Sequence, residues 1–573
     1  MSIPLKKNDD IILEITGLTS EGSGVGRFEG FAVFVPYTLP GETVSAHIIK
    51  VTSSYAVGKL NELILCSPDR TEPLCPTYLK CGGCSLQHMS YEAQLVFKQG
   101  VVRDALERIG GLSGTEVKPA IGMDDPSRYR NKGSFPFTSV DGKTCWGLYA
   151  QRSHRLIEMD DCIIERECTV KAAKATAEWA DRYSVSPYDE ITGSGILRHV
   201  VTRECSEGAA VCVVTTGELP HEDELVSIIR KALPSVKSIV HNINSRNTNV
   251  ICGDRNRLLW GSSAVVERLN GLDFEVSQES FLQVNPVQTK RLYSLAVDGL
   301  NLSGSETVAD IFCGIGTITL MLAKKASNAI GIEYVKRAVE DARKNAVING
   351  IENAEFHCGA AEEILPRLID EGRRLDCVVL DPPRKGADSA VLNAIAASGA
   401  KRVSYISCNP ATLARDVKIL SEHGYDVESV QPVDMFPFTH HVETVVQLSK
   451  GDINGHVSSE KKAVKSEASE IISGYRKGNK APETTNVKID FSLENLDLSE
   501  LKGKATYEQI KDYVREQTGF RVSSLYISQV KRKCVLEVGE SYNKPKSEDA
   551  RQPQYTPEKE EAIMQALRHY GVI

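Results

Sequence analysis

The feature that most limits what this chain can fold into is the run Val308-Ala309-Asp310-Ile311-Phe312-Cys313-Gly314-Ile315-Gly316-Thr317. It reads as a strand, a glycine-rich turn and the start of a helix. Glycines let a backbone pass close to a ligand, and the free amides at a helix start offer it hydrogen-bond donors. Further strand-like runs follow at Ala329 to Glu333, Asp376 to Asp381 and Arg402 to Ser407, with helical stretches between them. Strands alternating with helices in this way predict a doubly wound α/β sheet between Ser277 and Glu443.

Ligands of open α/β sheets bind beyond the carboxyl ends of the strands. Three elements converge on that edge here: the glycine turn, Glu333 at the end of the second strand, and Asp381 at the head of Asp381-Pro382-Pro383-Arg384-Lys385-Gly386. A carboxylate at the place of Glu333 can accept hydrogen bonds from both ribose hydroxyls. The dinucleotide fingerprint asks for a third glycine where this chain has Thr319. The combination fits S-adenosylmethionine, with an unrelated nucleotide as the alternative.

A chain of 573 residues is too long for one hydrophobic core, so several domains are expected. Residues 1–66 read as a small barrel. Ile11 to Ile15 alternates, Gly22, Gly24 and Gly26 punctuate a loop, and Phe31 to Val35 and Val44 to Val51 are strands separated by a Pro40-Gly41 turn. This stretch resembles a TRAM domain, an OB-like RNA-binding module. Residues 67–270 read as a mixed α+β central domain. Within it, Tyr91 to Ile109 is helical and stops at Gly110-Gly111, and this helix is expected to pack on the catalytic domain. Arg128 to Lys132 interleaves Tyr129 with cations, a pattern suited to phosphate contact and base stacking, or else a solvated loop. Residues 271–450 form the α/β domain. Residues 451–490 are polar and read as a linker, and 491–573 as a small helical extension. In that extension Lys504 to Lys533 suggests two helices joined at Gly519, with Thr506 or Ser523 as N-caps; it would be a nucleic-acid reader or a protein-docking module.

No apolar run approaches the roughly 20 residues of a membrane span, and the start lacks a secretory signal. A cytoplasmic chain is expected, and disulfides are rare in that compartment. Most of the 15 cysteines, Cys212 and Cys377 among them, then read as small buried hydrophobes. Cys75, Cys81 and Cys84 stand together instead. Three thiolates in one loop, with a fourth ligand from elsewhere, suggest zinc or an iron–sulfur cluster. The net charge of −8 gives no hint of nucleic acid.

Another cysteine, Cys408, stands at the end of the strand that runs into Ser407-Cys408-Asn409-Pro410, at the edge where substrate would meet cofactor. Carbon 5 of uracil is a poor nucleophile. A thiolate that adds to carbon 6 converts the ring to an enolate whose carbon 5 can attack a methyl group, and a base must then remove the carbon 5 proton. A carboxylate that could serve stands in Phe438-Thr439-His440-His441-Val442-Glu443, just before a final strand from Thr444 to Leu448.

Phe281-Leu282-Gln283-Val284-Asn285-Pro286, the glycine turn, Asp381-Pro382-Pro383-Arg384, Ser407-Cys408-Asn409-Pro410 and the His-Val-Glu segment occur in this order. Over about Met1 to Lys450 the chain resembles the bacterial 23S rRNA (uracil-5-)-methyltransferases. That resemblance implies a TRAM barrel, a Rossmann-like class I methyltransferase domain, S-adenosylmethionine and a [4Fe–4S] cluster, zinc being the alternative. It also implies cofactor-binding roles for Gln283, Phe312, Glu333 and Asp381, a nucleophile in Cys408 and a base in Glu443. Cys162 becomes the fourth cluster ligand beside Cys75, Cys81 and Cys84. A monomer acting on 23S rRNA is the expectation. The rivals are the same reaction on tRNA and a non-catalytic RNA-binding or ribosome assembly factor. The region after Lys450 departs from the family pattern.

Overall fold

The computed structural model describes residues 3–151 and 153–451, with residues 510, 513–515, 527 and 557–569. The chain divides into two compact units, Met1–Ser459 and Glu460–Ile573.

The first unit begins with strands β1 (Asp10–Leu18), β2 (Gly24–Phe28), β3 (Phe31–Val35), β4 (Thr43–Val51) and β5 (Tyr55–Leu65). They close into a barrel in the order β1-β2-β3-β5-β4. Closure follows from strict alternation: Ile11, Leu13 and Ile15 of β1 point inward onto Val33, Val35, Val44 and Ile48, which form one buried cluster. Period-2 burial is what a half-buried strand requires.

Helix α1 (Tyr91–Arg108) comes next, its first turn capped by the Ser90 side chain on the Ala93 amide. Val102 and Leu106 of α1 are buried in the same cluster as Leu413 and Val417 of the α/β domain. The central domain is built from β6 (Lys132–Val140), β7 (Lys143–Tyr149), β8 (Leu156–Glu158), α2 (Glu167–Arg182), β9 (Leu197–Cys205) and β10 (Gly208–Thr215). It continues with α3 (Glu222–Ala232), β11 (Val236–Ile243) and β12 (Arg255–Gly261). Its sheet runs β12-β11-β10-β9-β6-β7-β8, and a hairpin of β13 (Ala264–Leu269) and β14 (Leu272–Ser277) leads out of it.

The α/β domain then runs α4 (Pro286–Asp298), β15 (Thr307–Ile311), α5 (Thr317–Ala323), β16 (Asn328–Glu333), α6 (Lys336–Ile348) and β17 (Ala354–Cys358). After these come α7 (Ala361–Asp370), β18 (Cys377–Leu380), α8 (Ser389–Ala397), β19 (Arg402–Ser407), α9 (Pro410–Glu422), β20 (Tyr425–Val433) and β21 (Glu443–Lys450). Their sheet has the order β17-β16-β15-β18-β19-β21-β20, with β21 antiparallel to both neighbours. All four residues of β18 are buried, as expected of a parallel strand covered by helices on both faces. The chain turns to opposite sides of the sheet after β15, which leaves a crevice between the ends of β15 and β18.

In the second unit the described residues include one helix, α10 (Pro557–His569). The linker read at 451–490 lies outside the described residues beyond Gly451. Of the paired helices read between Lys504 and Lys533, only the helical residues 510, 513–515 and 527 are described; the proposed caps Thr506 and Ser523 are not. Among the described residues no helix is long and apolar enough to cross a membrane.

Candidate active site

Three sequence-predicted residues meet at the carboxyl ends of adjacent strands. Phe312 follows β15, Glu333 closes β16 and Asp381 follows β18. The registers Ile311↔Ile332 and Ile311↔Leu380 set them level with one another. The Phe312 and Cys313 amides both donate to the Ile332 carbonyl, at 2.9 and 3.0 Å. This pulls the turn back over the neighbouring strand. Phe312 has φ +72°, unusual for a residue with a Cβ, and such geometry concentrates at functional sites. Gly316 has φ +84° at the N-cap of α5, where a left-handed conformation favours glycine. The Glu333 carboxylate accepts from the Gly314 amide at 3.1 Å and from Val335 at 2.7 Å. It is thereby oriented, with lone pairs left for a diol.

Gln283 is buried in the loop between β14 and α4. Its neighbours are fastened from the central domain: Arg203 donates to the Leu282 and Ser280 carbonyls, and the Asn131 amide to Val284 at 2.8 Å. Asn285 caps α4 and also donates to the Met435 carbonyl at 3.0 Å.

Cys408 follows β19 and Glu443 opens β21, one residue inside the strand rather than before it as the sequence reading has it. The antiparallel pair Ser407↔Thr444 puts Cys408 opposite Glu443 as the register continues. Glu443 is buried, and its Oε2 has no hydrogen-bond partner among the described residues. Burial, reinforced by Asp381, pushes its carboxyl well above the ordinary range, while Arg384 opposes the shift. Burial also raises the Cys408 thiol to about 11, with Glu443 and Asp381 adding to it and Arg384 working against it. Asp381 is raised to about 7 by burial and by the buried Asp310. Four groups of three chemical types thus act on one another at a single edge, and Arg384 is the cation among them.

Local contacts hold these groups in place. The Asn409 side chain caps α9 on the Ala411 amide at 3.0 Å and donates to the Arg384 carbonyl at 3.2 Å, tying the cysteine turn to the Asp-Pro-Pro-Arg turn. Gly386 has φ +80°, and a Cβ there would lie 2.5 Å from both Arg415 and Asp416.

Two participants escape the sequence reading. Asp310 sits inside β15, raised to about 7 by burial, and accepts from the Thr319 hydroxyl at 2.6 Å. Thr319 was the signal that could have found it, since it replaces the third glycine of the nucleotide pattern. Tyr293 of α4 is buried, and its phenol is held neutral by burial and by the nearby Asp381 and Glu443. Its position on an ordinary amphipathic helix gave no signal.

A family model for tRNA (uracil-5-)-methyltransferase matches residues 242–451, and a TRAM domain model matches residues 9–60. An uncharacterized RNA methyltransferase of Halalkalibacterium halodurans is 47% identical over 448 residues, covering 78% of this chain and 98% of the relative. Another, from Listeria innocua, is 46% identical over 448 residues with the same coverage. The chain belongs to the RNA (uracil-5-)-methyltransferase family. A similar solved structure is the Pyrococcus abyssi tRNA (uracil-54, C5)-methyltransferase in complex with S-adenosyl-L-homocysteine. It is 27% identical with a TM-score of 0.63, covering 76% of this chain and 99% of that one. The barrel of this methyltransferase is therefore its TRAM domain, and the α/β domain its class I methyltransferase fold.

The same methyltransferase gathers Cys75, Cys81, Cys84 and Cys162 around one cavity, lined also by Tyr78, Gln87 and Met159. Cys75, Cys81 and Cys162 are buried and Cys84 is partly buried. Burial raises the Cys84 and Cys162 thiols to about 12, and neighbouring thiols or Glu165 add to the effect. Among the described residues no group of three or more His, Cys, Asp or Glu is arranged to hold a single metal ion.

The basic stretch from Arg128 to Lys132 serves the interior instead of presenting an RNA-stacking face. Tyr129 is buried, and its hydroxyl donates to the Pro437 carbonyl at 3.3 Å. Arg128 pairs with Asp161 and donates to the Cys162 carbonyl at 2.6 Å, and Arg130 pairs with Glu165 at 3.1 Å. Acidic partners at Asp161 and Glu165, not adjacent in sequence to the patch, pair with its two arginines.

Proposed function

We propose that this methyltransferase makes 5-methyluridine in 23S rRNA, with Cys408 as nucleophile at carbon 6 of the target uracil and Glu443 as base at carbon 5. The observation that carries this reading is the placement of Cys408 opposite Glu443 at the ligand-binding edge of the sheet, with Asp381 and Arg384 acting on both.

The residues at the strand ends suit an S-adenosyl group. Glu333 offers an oriented carboxylate, Asp381 a second acceptor, Phe312 an apolar surface at the turn, and Gln283 a buried amide from the opposite loop. S-adenosylmethionine, when bound, supplies an electrophilic methyl group on a sulfonium. The protein's own chemistry begins at Cys408, which must lose its proton to solvent before attack, because the thiolate is the nucleophile. The thiolate forms a bond to carbon 6, and the electron pair of the ring double bond moves to the oxygen on carbon 4. Carbon 5 would then take the methyl group with its own electron pair, the pair of the broken carbon–sulfur bond staying on the cofactor's sulfur as a neutral thioether. The Glu443 carboxylate, or a water it activates, accepts the carbon 5 proton; the double bond reforms and the thiolate leaves. Arg384 favours the charged forms of both groups and so supports both proton losses. A uridine in folded RNA must be splayed out to reach this edge, at an unstacking cost of a few kcal/mol.

The four cysteines suit a [4Fe–4S] cluster held by Cys75, Cys81, Cys84 and Cys162. The four thiols converge, and burial raises those of Cys81, Cys84 and Cys162, so metal cations are needed for them to become thiolates together. Zinc is the alternative, since four thiolates also suit its tetrahedral coordination. Such a cluster supplies structure here, and the methyl transfer needs no electron from it.

A second reading, the same reaction on tRNA, is favoured by the similarity to the Pyrococcus abyssi enzyme. Transfer of labelled methyl from S-adenosylmethionine to unmodified 23S rRNA and, separately, to tRNA, followed by nucleoside analysis, separates the two. Label in 5-methyluridine from rRNA alone is the expected result. Label from tRNA alone moves the substrate, and cofactor binding without transfer to either RNA overturns the enzyme reading.

A further inference from the structure

The segment that delivers Glu443 to the site is a turn, Asp434 to Val442, and its fastenings come from far away in the sequence. Phe438 at its centre has φ +65°, which a residue with a Cβ adopts only when its surroundings impose it. The imposition is visible. Its carbonyl accepts from two consecutive amides, Ser85 and Leu86, each at 2.9 Å. Its own amide donates to Gln94 Oε1 of α1 at 3.0 Å. Two residues on, the His440 amide donates to Ser85 Oγ at 3.0 Å, and Ser85 Oγ lies 3.2 Å from His440 Nδ1. Lys98, fully buried and paired with Asp434, also donates to the Phe436 carbonyl at 3.0 Å.

Ser85 directly follows Cys84, which lines the four-cysteine cavity. The loop that would wrap the cluster and the loop that carries the base are therefore joined by four hydrogen bonds through Ser85 and Leu86. We propose that Ser85 is a positioning residue for the reaction: through Phe438 and His440 it holds the Glu443 turn in register with the cysteine loop, so that the state of the four-cysteine site sets the alignment of the base. This inference rests on the reading of Glu443 as the base. It gives the cysteine site a task in the elimination step without any electron transfer.

The prediction concerns one step in particular. If Ser85 aligns the base, its loss leaves attack and methyl transfer in place and slows removal of the carbon 5 proton. Methylated RNA then stays attached to Cys408. The test compares full-length wild type, Ser85→Ala, Ser85→Thr and Glu443→Gln, each isolated with its iron and sulfide content measured. The readouts are kcat, KM for RNA and the fraction of protein carrying methylated RNA in denaturing gels. Ser85→Ala is expected to keep wild-type iron and sulfide and a KM within twofold, to lose about tenfold in kcat, and to accumulate the adduct. Ser85→Thr should recover most of the rate. Hydrogen exchange at the Phe438 to His441 amides should quicken in Ser85→Ala and, more strongly, in Cys81→Ser, a readout independent of activity. Should Ser85→Ala not fold, His440→Ala takes its place: it removes the contact of Ser85 Oγ with Nδ1, keeps the bond from the residue 440 amide, and should show the same effects at smaller size. Wild-type turnover in Ser85→Ala, or adduct absent there but present in Glu443→Gln, overturns the Ser85 proposal alone. Absence of adduct in Glu443→Gln overturns the base assignment beneath it.

Discussion

Two groups of titratable side chains can be set side by side: the proposed catalytic edge, where the exposed Arg384 stands with Asp381, Cys408 and the buried Glu443, and the cysteine loop, with Cys75, Cys81, Cys84 and Cys162. Burial raises the thiol pKa in both. At the catalytic edge Arg384 opposes the shift at both Cys408 and Glu443. At the cysteine loop the neighbouring thiols and Glu165 add to burial, and the opposing contacts are hydrogen bonds from Gln87 and from the Ile164 and Glu165 amides. A site with its own cation can change charge reversibly in each turnover. A site whose strongest opposing contacts are dipoles would, on the proposed reading, be discharged once by metal cations and kept so. The same residue type, cysteine, is thus tuned for two ends by what surrounds it.

This contrast can be broken at several points. The largest effect is expected from Cys408→Ala, which should lower methyl transfer by at least about 10⁴-fold while cofactor binding, measured by calorimetry, stays within a few-fold of wild type. Cys84→Ser should act in the opposite sense: iron lost on elemental analysis, and stability lowered by several kcal/mol in denaturant melts, because metal binding and folding are coupled. Arg384→Gln tests the cation. The active forms of Cys408 and Glu443 are anions whose pKa values stand above their ordinary values, so kcat/KM should rise with pH through neutrality in the wild type. Removing Arg384 raises both further, so the profile should move to higher pH, with roughly tenfold less activity at pH 7 for a shift of about one unit. The smallest effect is expected from Tyr129→Phe. The buried phenol makes one hydrogen bond, to Pro437, so stability should fall by about 0.5–1.5 kcal/mol in thermal melts with KM for RNA unchanged. A large rise in that KM would restore Tyr129 as an RNA contact.

Much of the catalytic edge was legible because parallel strands buried on both faces announce themselves as apolar runs, and the turns at their ends carry their chemistry in adjacent letters. Phe312, Glu333, Asp381 and Cys408 are each within one residue of a strand end that the sequence predicts. The barrel was legible in part: alternation marks β1, and apolar runs on either side of a Pro-Gly turn mark β3 and β4, whereas β2 has the letters of a glycine loop and β5 mixes exposed and buried positions. The sequence was silent on partners that meet only in space. Nothing near Arg128 foretells Asp161, nothing near Ser85 foretells His440, and Lys98 looks like a surface lysine until Asp434 is packed against it. For the same reason the basic stretch at Arg128 was open to an RNA-facing reading.

The central claim is that Cys408 forms a covalent bond to the uracil during methylation. RNA in which the target uridine is replaced by 5-fluorouridine tests it most directly, because carbon 5 then carries a fluorine in place of the proton that Glu443 would remove. With S-adenosylmethionine present, wild type should form a protein–RNA complex that survives denaturing electrophoresis and contains the transferred methyl group, with Cys408 as the attachment site by mass spectrometry. Cys408→Ala should form none. Active methylation of ordinary RNA by a protein that never forms this complex, or a complex attached elsewhere than Cys408, would contradict the mechanism.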